Sequence, residues 1–140
     1  MNKTVLNLLI KNKKKLGLIA IAISILTWFL EFYGVVYVCP YCRTQRTIIG
    51  LLGLSLLLPN TRNWLNLYVA TTLAIFGFFV ASYQHFEGWK KIMSGKFIWG
   101  EQWYLNSWLL SGFALFIISG LLLLIWTSVK TIDTNSKLSQ

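Results

Sequence analysis

Three apolar stretches without a charge organise the chain: Leu16 to Leu30, Trp64 to Tyr83 and Tyr104 to Val129. The latter two reach the roughly 20 residues that carry a helix across a hydrocarbon core about 30 Å thick. The first covers only about 22 Å at 1.5 Å per residue, which predicts that its helix continues past Glu31 towards residue 37. A fourth stretch, Thr47 to Leu58, would be about 18 Å long and too short. Starting that helix at Cys39 brings it to about 30 Å. Pro40 suits a first helical position, where the missing N–H costs nothing, and Cys39 becomes the N-cap. Pro59 and the turn residues of "PNTRN" then reverse the chain.

The pattern predicts an all-α polytopic membrane protein: one domain over residues 1–140, a four-transmembrane-helix bundle with spans near 16–37, 39–58, 64–84 and 106–129. The leader "VLNLLI" is expected on the inner membrane surface. Between spans three and four, residues 86–105 carry Trp89, Phe97, Trp99, Trp103 and Tyr104. They read as an interfacial periplasmic loop on the outer leaflet, broken into short pieces by Gly88, Gly95 and Gly100.

Composition agrees. Of 140 residues 56% are hydrophobic and 12% charged, more apolar surface than a soluble domain of this size could hide. The net charge of +9 raises nucleic acid as a partner, but no basic stripe with interleaved aromatics lies outside the apolar stretches, which argues against it. The basic residues instead read as topology signals. Lys3, Lys11, Lys13, Lys14, Lys15, Arg62, Lys130 and Lys137 outnumber Arg43, Arg46, Lys90, Lys91 and Lys96, which places both termini in the cytoplasm. No small-x-small cleavage site follows the first apolar stretch, so it reads as a retained signal anchor. Both cysteines then face the outside, in a bacterium a compartment that permits disulfides.

Cys39, Cys42, Arg43 and Arg46 are spaced i, i+3, i+4, i+7 and share one helical stripe. Only a thiolate exchanges disulfides, and helix N-termini and neighbouring cations both stabilise it. Three readings are open: a redox pair, an inert disulfide or spectator thiols, and half of a metal site. Closed structural zinc needs four nitrogen or sulfur ligands, and His85 is the chain's sole histidine. His85 reads either as an interfacial side chain bonded to water or headgroups, or as a quinone partner or proton relay. Arg46, entering the apolar zone, needs a partner: Glu31 at the outer end of span one, or a quinone oxygen.

These residues resemble the disulfide bond formation protein B family, bacterial inner-membrane proteins that pass electrons from thiols to quinone. In "LEFYGVVYVCPYCRTQR" an acidic residue stands eight positions before the first cysteine and an arginine four after the second. "LLGLSLLLP", "SYQHFEGW" and "LNSWLL" are similar to that family's second, third and fourth spans. The resemblance implies that Cys39 and Cys42 are the redox pair and that Arg46 binds or polarises ubiquinone or menaquinone. It also implies that His85 lies near that site and that a periplasmic thioredoxin-fold dithiol protein is the partner. Glu31 or His85 would manage protons or charge. The vitamin K epoxide reductase-like bundles are similar in span number, but their redox C-x-x-C opens a later helix. Two features depart from the family pattern: residues 86–105 hold no second cysteine pair, and Arg43 stands at a usually apolar position. Either a partner dithiol meets Cys39–Cys42 directly, or another membrane subunit supplies the missing pair. A rival reading is a non-catalytic membrane subunit docking on a larger complex through Trp89, Trp99 and Trp103. Electron flow in the opposite, reductive direction is also compatible with the residues.

Overall fold

The computed structural model describes residues 3–35, 38–59, 63–98 and 106–138. Trp99, Gly100, Trp103, Tyr104 and Arg62 lie outside the described residues. The described chain is helical: α1 (Lys3–Lys11), α2 (Lys13–Phe32), α3 (Pro40–Leu57), α4 (Trp64–Met93) and α5 (Ser107–Leu138). Among the described residues α2, α4 and Ser107–Val129 of α5 are long and apolar enough to cross a membrane. Their outward side chains, among them Leu26, Phe29, Phe76, Phe79, Phe116 and Leu123, are exposed and apolar, as lipid contact requires. The chain is a multi-pass membrane protein.

Helix ends follow local chemistry. Past Phe32 the chain turns through Gly34 at φ 72°, with Val35 N–H donating to Leu30 O and Gly34 N–H to Glu31 O. That is the glycine-terminated cap in which a left-handed residue stops the helix. The first long helix therefore starts earlier, at Lys13, and stops sooner than the apolar pattern suggests. α3 begins as expected, with Cys39 in extended conformation at the N-cap and Pro40 opening the first turn.

The segment after residue 84 differs from expectation. α4 continues to Met93, and Gly88 lies inside it rather than breaking it. Gly88 is needed for packing, because a Cβ there would sit 2.5 Å from Trp108 Cδ1 on α5. Gly95, at φ 67°, ends the helix. The 30-residue α4 is about 45 Å long, so part of it must extend beyond a core of about 30 Å.

Two seams of small residues join the helices. On α4 the buried positions are Ala70, Ala74, Ala81 and Gln84, with Gly77 and Gly88 on the same heptad-spaced stripe. They meet Ser111, Ala114, Ile118, Leu121, Ile125 and Ser128 of α5, also at heptad spacing. On α2 the stripe is Gly17, Ala20, Ser24 and Glu31, packed along α3. A Cβ on Gly17 would lie 2.7 Å from Gly53 O, and one on Gly53 would lie 2.7 Å from Gly17 O. Helices that approach this closely are locked in register, since the backbone atoms have nowhere to move. Leu52 and Leu56 of α3 are wholly buried in the core, with Leu56 close against Gly17 of α2.

The α2–α3 seam runs antiparallel, with Gly17 beside Gly53 at one end and Glu31 beside Arg46 at the other. The lysine run at the start of α2 and the cysteine pair thus occupy opposite ends of the bundle. Gly53→Val is expected to cost about 1–3 kcal/mol through overpacking against Gly17 and Ala20. Reversible unfolding in mixed micelles checks it, and an unshifted midpoint would show that the seam does not set the register.

Candidate functional site

The α2–α3 register brings one carboxylate against two guanidiniums. Glu31, whose side chain is 3% exposed, pairs through Oε1 with Arg43 Nε and through Oε2 with Arg46 Nη1, the latter at 2.7 Å. Arg46 Nη1 also donates to Thr27 O at 3.1 Å, and Ser24 Oγ donates to the Arg46 carbonyl at 2.8 Å. Arg43 is half-exposed and lies 5.8 Å from the Trp28 ring centroid. The partner expected for Arg46 is therefore present, and it is shared. A carboxylate this buried is tolerable only because two cations and their N–H groups surround it.

The sulfurs turn to another helix. Cys39 and Cys42 are free thiols, half-buried, and both accept from Gln84 Nε2 of α4, at 3.7 and 3.5 Å. Gln84 Oε1 in turn accepts from Gln45 Nε2 at 2.8 Å, and both glutamines are buried. The common stripe expected for Cys39, Cys42, Arg43 and Arg46 is thus divided: the sulfurs face α4 and the guanidiniums face α2.

Two cavities meet at this point. One, of about 540 Å³, is the more polar of the two, lined by Cys39, Cys42, Arg46, Tyr83, Gln84, Glu87 and Lys91 among others. The second, of about 210 Å³, is a mostly apolar cleft walled by Leu30, Ile49, Phe113, Ala114 and Ile117, with Cys42, Gln45 and Arg46 also on its surface. Cys42, Arg46 and Leu110 line both; Cys39 lines only the first.

His85 lies elsewhere. Its ring stacks on Trp108 at 5.1 Å between centroids, and Nδ1 is 3.0 Å from Trp108 O and 3.3 Å from Ser111 Oγ on α5. It lines neither of the two cavities. One residue along the helix from Gln84, it points about 100° round the axis, towards α5 rather than α3. Its contacts are those of a clamp between α4 and α5. Trp89 and Phe97 set their rings edge-on to the same Trp108.

The structure thus assembles Cys39, Cys42, Arg46 and Glu31 within one region and leaves His85 outside it. Gln45 and Gln84 complete the region and were not singled out from sequence. Their signal was there: a polar side chain within an otherwise apolar helix is expensive unless it faces a partner. Gln84 also falls in phase with the small residues of α4. Among the described residues no three His, Cys, Asp or Glu side chains converge as metal ligands would. No protein-family model, curated protein or solved structure matches the chain.

Chemically, the arrangement can hold a dithiol at the boundary between a polar chamber and an apolar one. Cys39 is open to reagents entering from the polar side. Cys42 is open to both sides.

Proposed function

We propose that this chain is a thiol–disulfide oxidoreductase of the membrane, in which Cys39 and Cys42 carry two electrons from a dithiol partner to a quinone. The observation that carries this reading is the position of Cys42 and Arg46, shared between a polar cavity and an apolar cleft. A spectator thiol pair needs neither chamber. The resemblance of the C-x-x-C and its following arginine to the disulfide bond formation protein B family points the same way.

The wider architecture is part of the proposal. α3 runs the length of α2, from the Gly17–Gly53 contact to the Glu31–Arg46 pair, which supports a fourth crossing despite its two arginines. With the lysine-rich start of α2 in the cytoplasm, the cysteines face the periplasm of a bacterial inner membrane.

On the polar side, a partner thiolate attacks Cys39 Sγ of the oxidised pair, and Cys42 leaves as a thiolate. The partner's second thiolate then attacks its own mixed-disulfide sulfur and releases Cys39. Two electrons have moved to the Cys39–Cys42 pair, and the partner's two protons restore its thiols. The apolar cleft fits a quinone: Leu30, Ile49, Phe113 and Ile117 suit ring faces and an isoprenoid chain, and Arg46 offers N–H donors to a carbonyl. Bound ubiquinone or menaquinone supplies the acceptor of two electrons and two protons that returns the dithiol to the disulfide. Glu31 holds Arg46 at the cleft.

The test is to trap the thiols by alkylation in proteoliposomes, with and without quinone. Reduced beforehand and freed of reductant, the pair is expected to become a disulfide when oxidised quinone is present and to stay a dithiol without it. A state indifferent to quinone would sink the reading and leave an accessory subunit that docks through its aromatic loop.

A further inference from the structure

The arginines beside the cysteines are engaged elsewhere, which raises the question of what steadies a thiolate here. Arg43 and Arg46 both pair with Glu31, so the guanidinium charge nearest the sulfurs is already largely balanced. Apart from each other, the sulfurs meet the N–H groups of one amide, on Gln84. An amide that can rotate could equally present its oxygen, which would repel a thiolate. Gln45 prevents this: its Nε2 donates to Gln84 Oε1 at 2.8 Å, so that oxygen is held away from the sulfurs and the NH₂ group is held towards them. Both side chains are buried, 4% and 7% exposed, which shelters the bond between them.

We propose that Gln45 and Gln84 form a two-amide relay that keeps both N–H donors of Gln84 on the cysteine sulfurs, making Gln84 the group that stabilises the departing thiolate and Gln45 its positioning residue. The inference rests on the thiol-exchange reading of the pair. In the first exchange the partner's sulfur bonds to Cys39 Sγ as the Cys39–Cys42 bond breaks, and the electron pair goes to Cys42 Sγ, 3.5 Å from the Gln84 nitrogen. In the second, the partner's disulfide forms and the electron pair goes to Cys39 Sγ, 3.7 Å from the same nitrogen. One donor group thus serves both leaving sulfurs in turn. Hydrogen bonds to a charged acceptor are the stronger kind, and the low dielectric of a buried site adds to them. An amide carries no net charge, so it gives this help without placing a further cation near the apolar cleft.

The test is the pH profile of alkylation of the reduced pair by iodoacetamide, on the full chain in detergent micelles. Methionine replaces glutamine with nearly the same shape and no donor. Gln84→Met is expected to slow alkylation about tenfold or more at pH values below the midpoint, and to move the midpoint upward by about one unit. Gln45→Met is expected to slow it severalfold, and to have no further effect when Gln84 is already methionine. An unmoved profile in either single variant overturns the relay. So does a Gln45→Met effect that persists undiminished in the Gln84→Met background, because it would then act without Gln84. Loss of packing alone would lower thermal stability without shifting the profile. The assay contains no quinone, so failure of the electron-transfer reading and failure of the relay are separate outcomes.

Discussion

Cys42→Ser is expected to leave no measurable quinone-dependent thiol oxidation, and Cys39→Ser the same, because a serine hydroxyl can neither form nor resolve a disulfide. The two variants should differ in what they trap. Cys39 lines only the polar cavity, whereas Cys42 lines both chambers. A thioredoxin-fold protein keeping only its exposed cysteine, activated as a mixed disulfide with thionitrobenzoate, should therefore be attacked by Cys39 of Cys42→Ser, release thionitrobenzoate and remain attached, since neither protein then holds a resolving sulfur. Cys39→Ser should accumulate little of this adduct. Non-reducing gel electrophoresis after acid quenching reads both outcomes. Retained turnover in either variant would defeat the redox assignment, and an adduct that forms only on Cys42 would invert the order of attack.

The second large effect concerns stability. Glu31→Gln removes the anion shared by Arg43 and Arg46 and leaves Arg46, with 13% of its side chain exposed, as a largely buried cation without its ion-pair partner. Breaking a buried pair from one side costs about 3–5 kcal/mol. Arg43 contributes less to that loss, because its half-exposed guanidinium can turn to water. The double variant Glu31→Met with Arg46→Met should be more stable than Glu31→Gln alone, since no buried charge then lacks a partner. Unfolding midpoints in mixed micelles decide this. A Glu31→Gln protein that unfolds at the wild-type midpoint would mean that the carboxylate does not hold the α2–α3 end together. The double variant also separates stability from chemistry: it should fold and yet oxidise thiols poorly, with Arg46 absent from the cleft.

Much of the fold was legible along the chain. The places of the long apolar helices came from apolar runs measured against the thickness of a bilayer, but their ends did not: α2 stops at Phe32 and α4 runs on to Met93. The start of α3 came from Pro40 and from the shortage of apolar residues after Thr47. Glu31 was readable as a partner for Arg46, because two opposite charges near one end of neighbouring apolar helices have few other places to go. The glycines were less legible. Gly34 and Gly88 look alike in sequence, yet Gly34 stops α2 at positive φ while Gly88 sits within α4 beneath Trp108. A glycine signals either backbone freedom or close approach, and nothing local tells the two apart.

The site divides along the same line. That two cysteines and two arginines open one helix follows from their spacing alone, since helical periodicity is a property of the chain itself. Which way that stripe is shared out is not. The Gly17–Gly53 contact sets the depth at which Glu31 meets α3 and so draws the guanidiniums towards α2. The small residues of α4 set the angle at which Gln84 meets the sulfurs and carry His85 round to α5. Those choices depend on how closely backbones on different helices can approach, a quantity that exists only between segments far apart in sequence. Local order therefore determined the helices and the motif, and only the packing decided that the Gln84 amide, rather than a guanidinium, hydrogen-bonds the sulfurs.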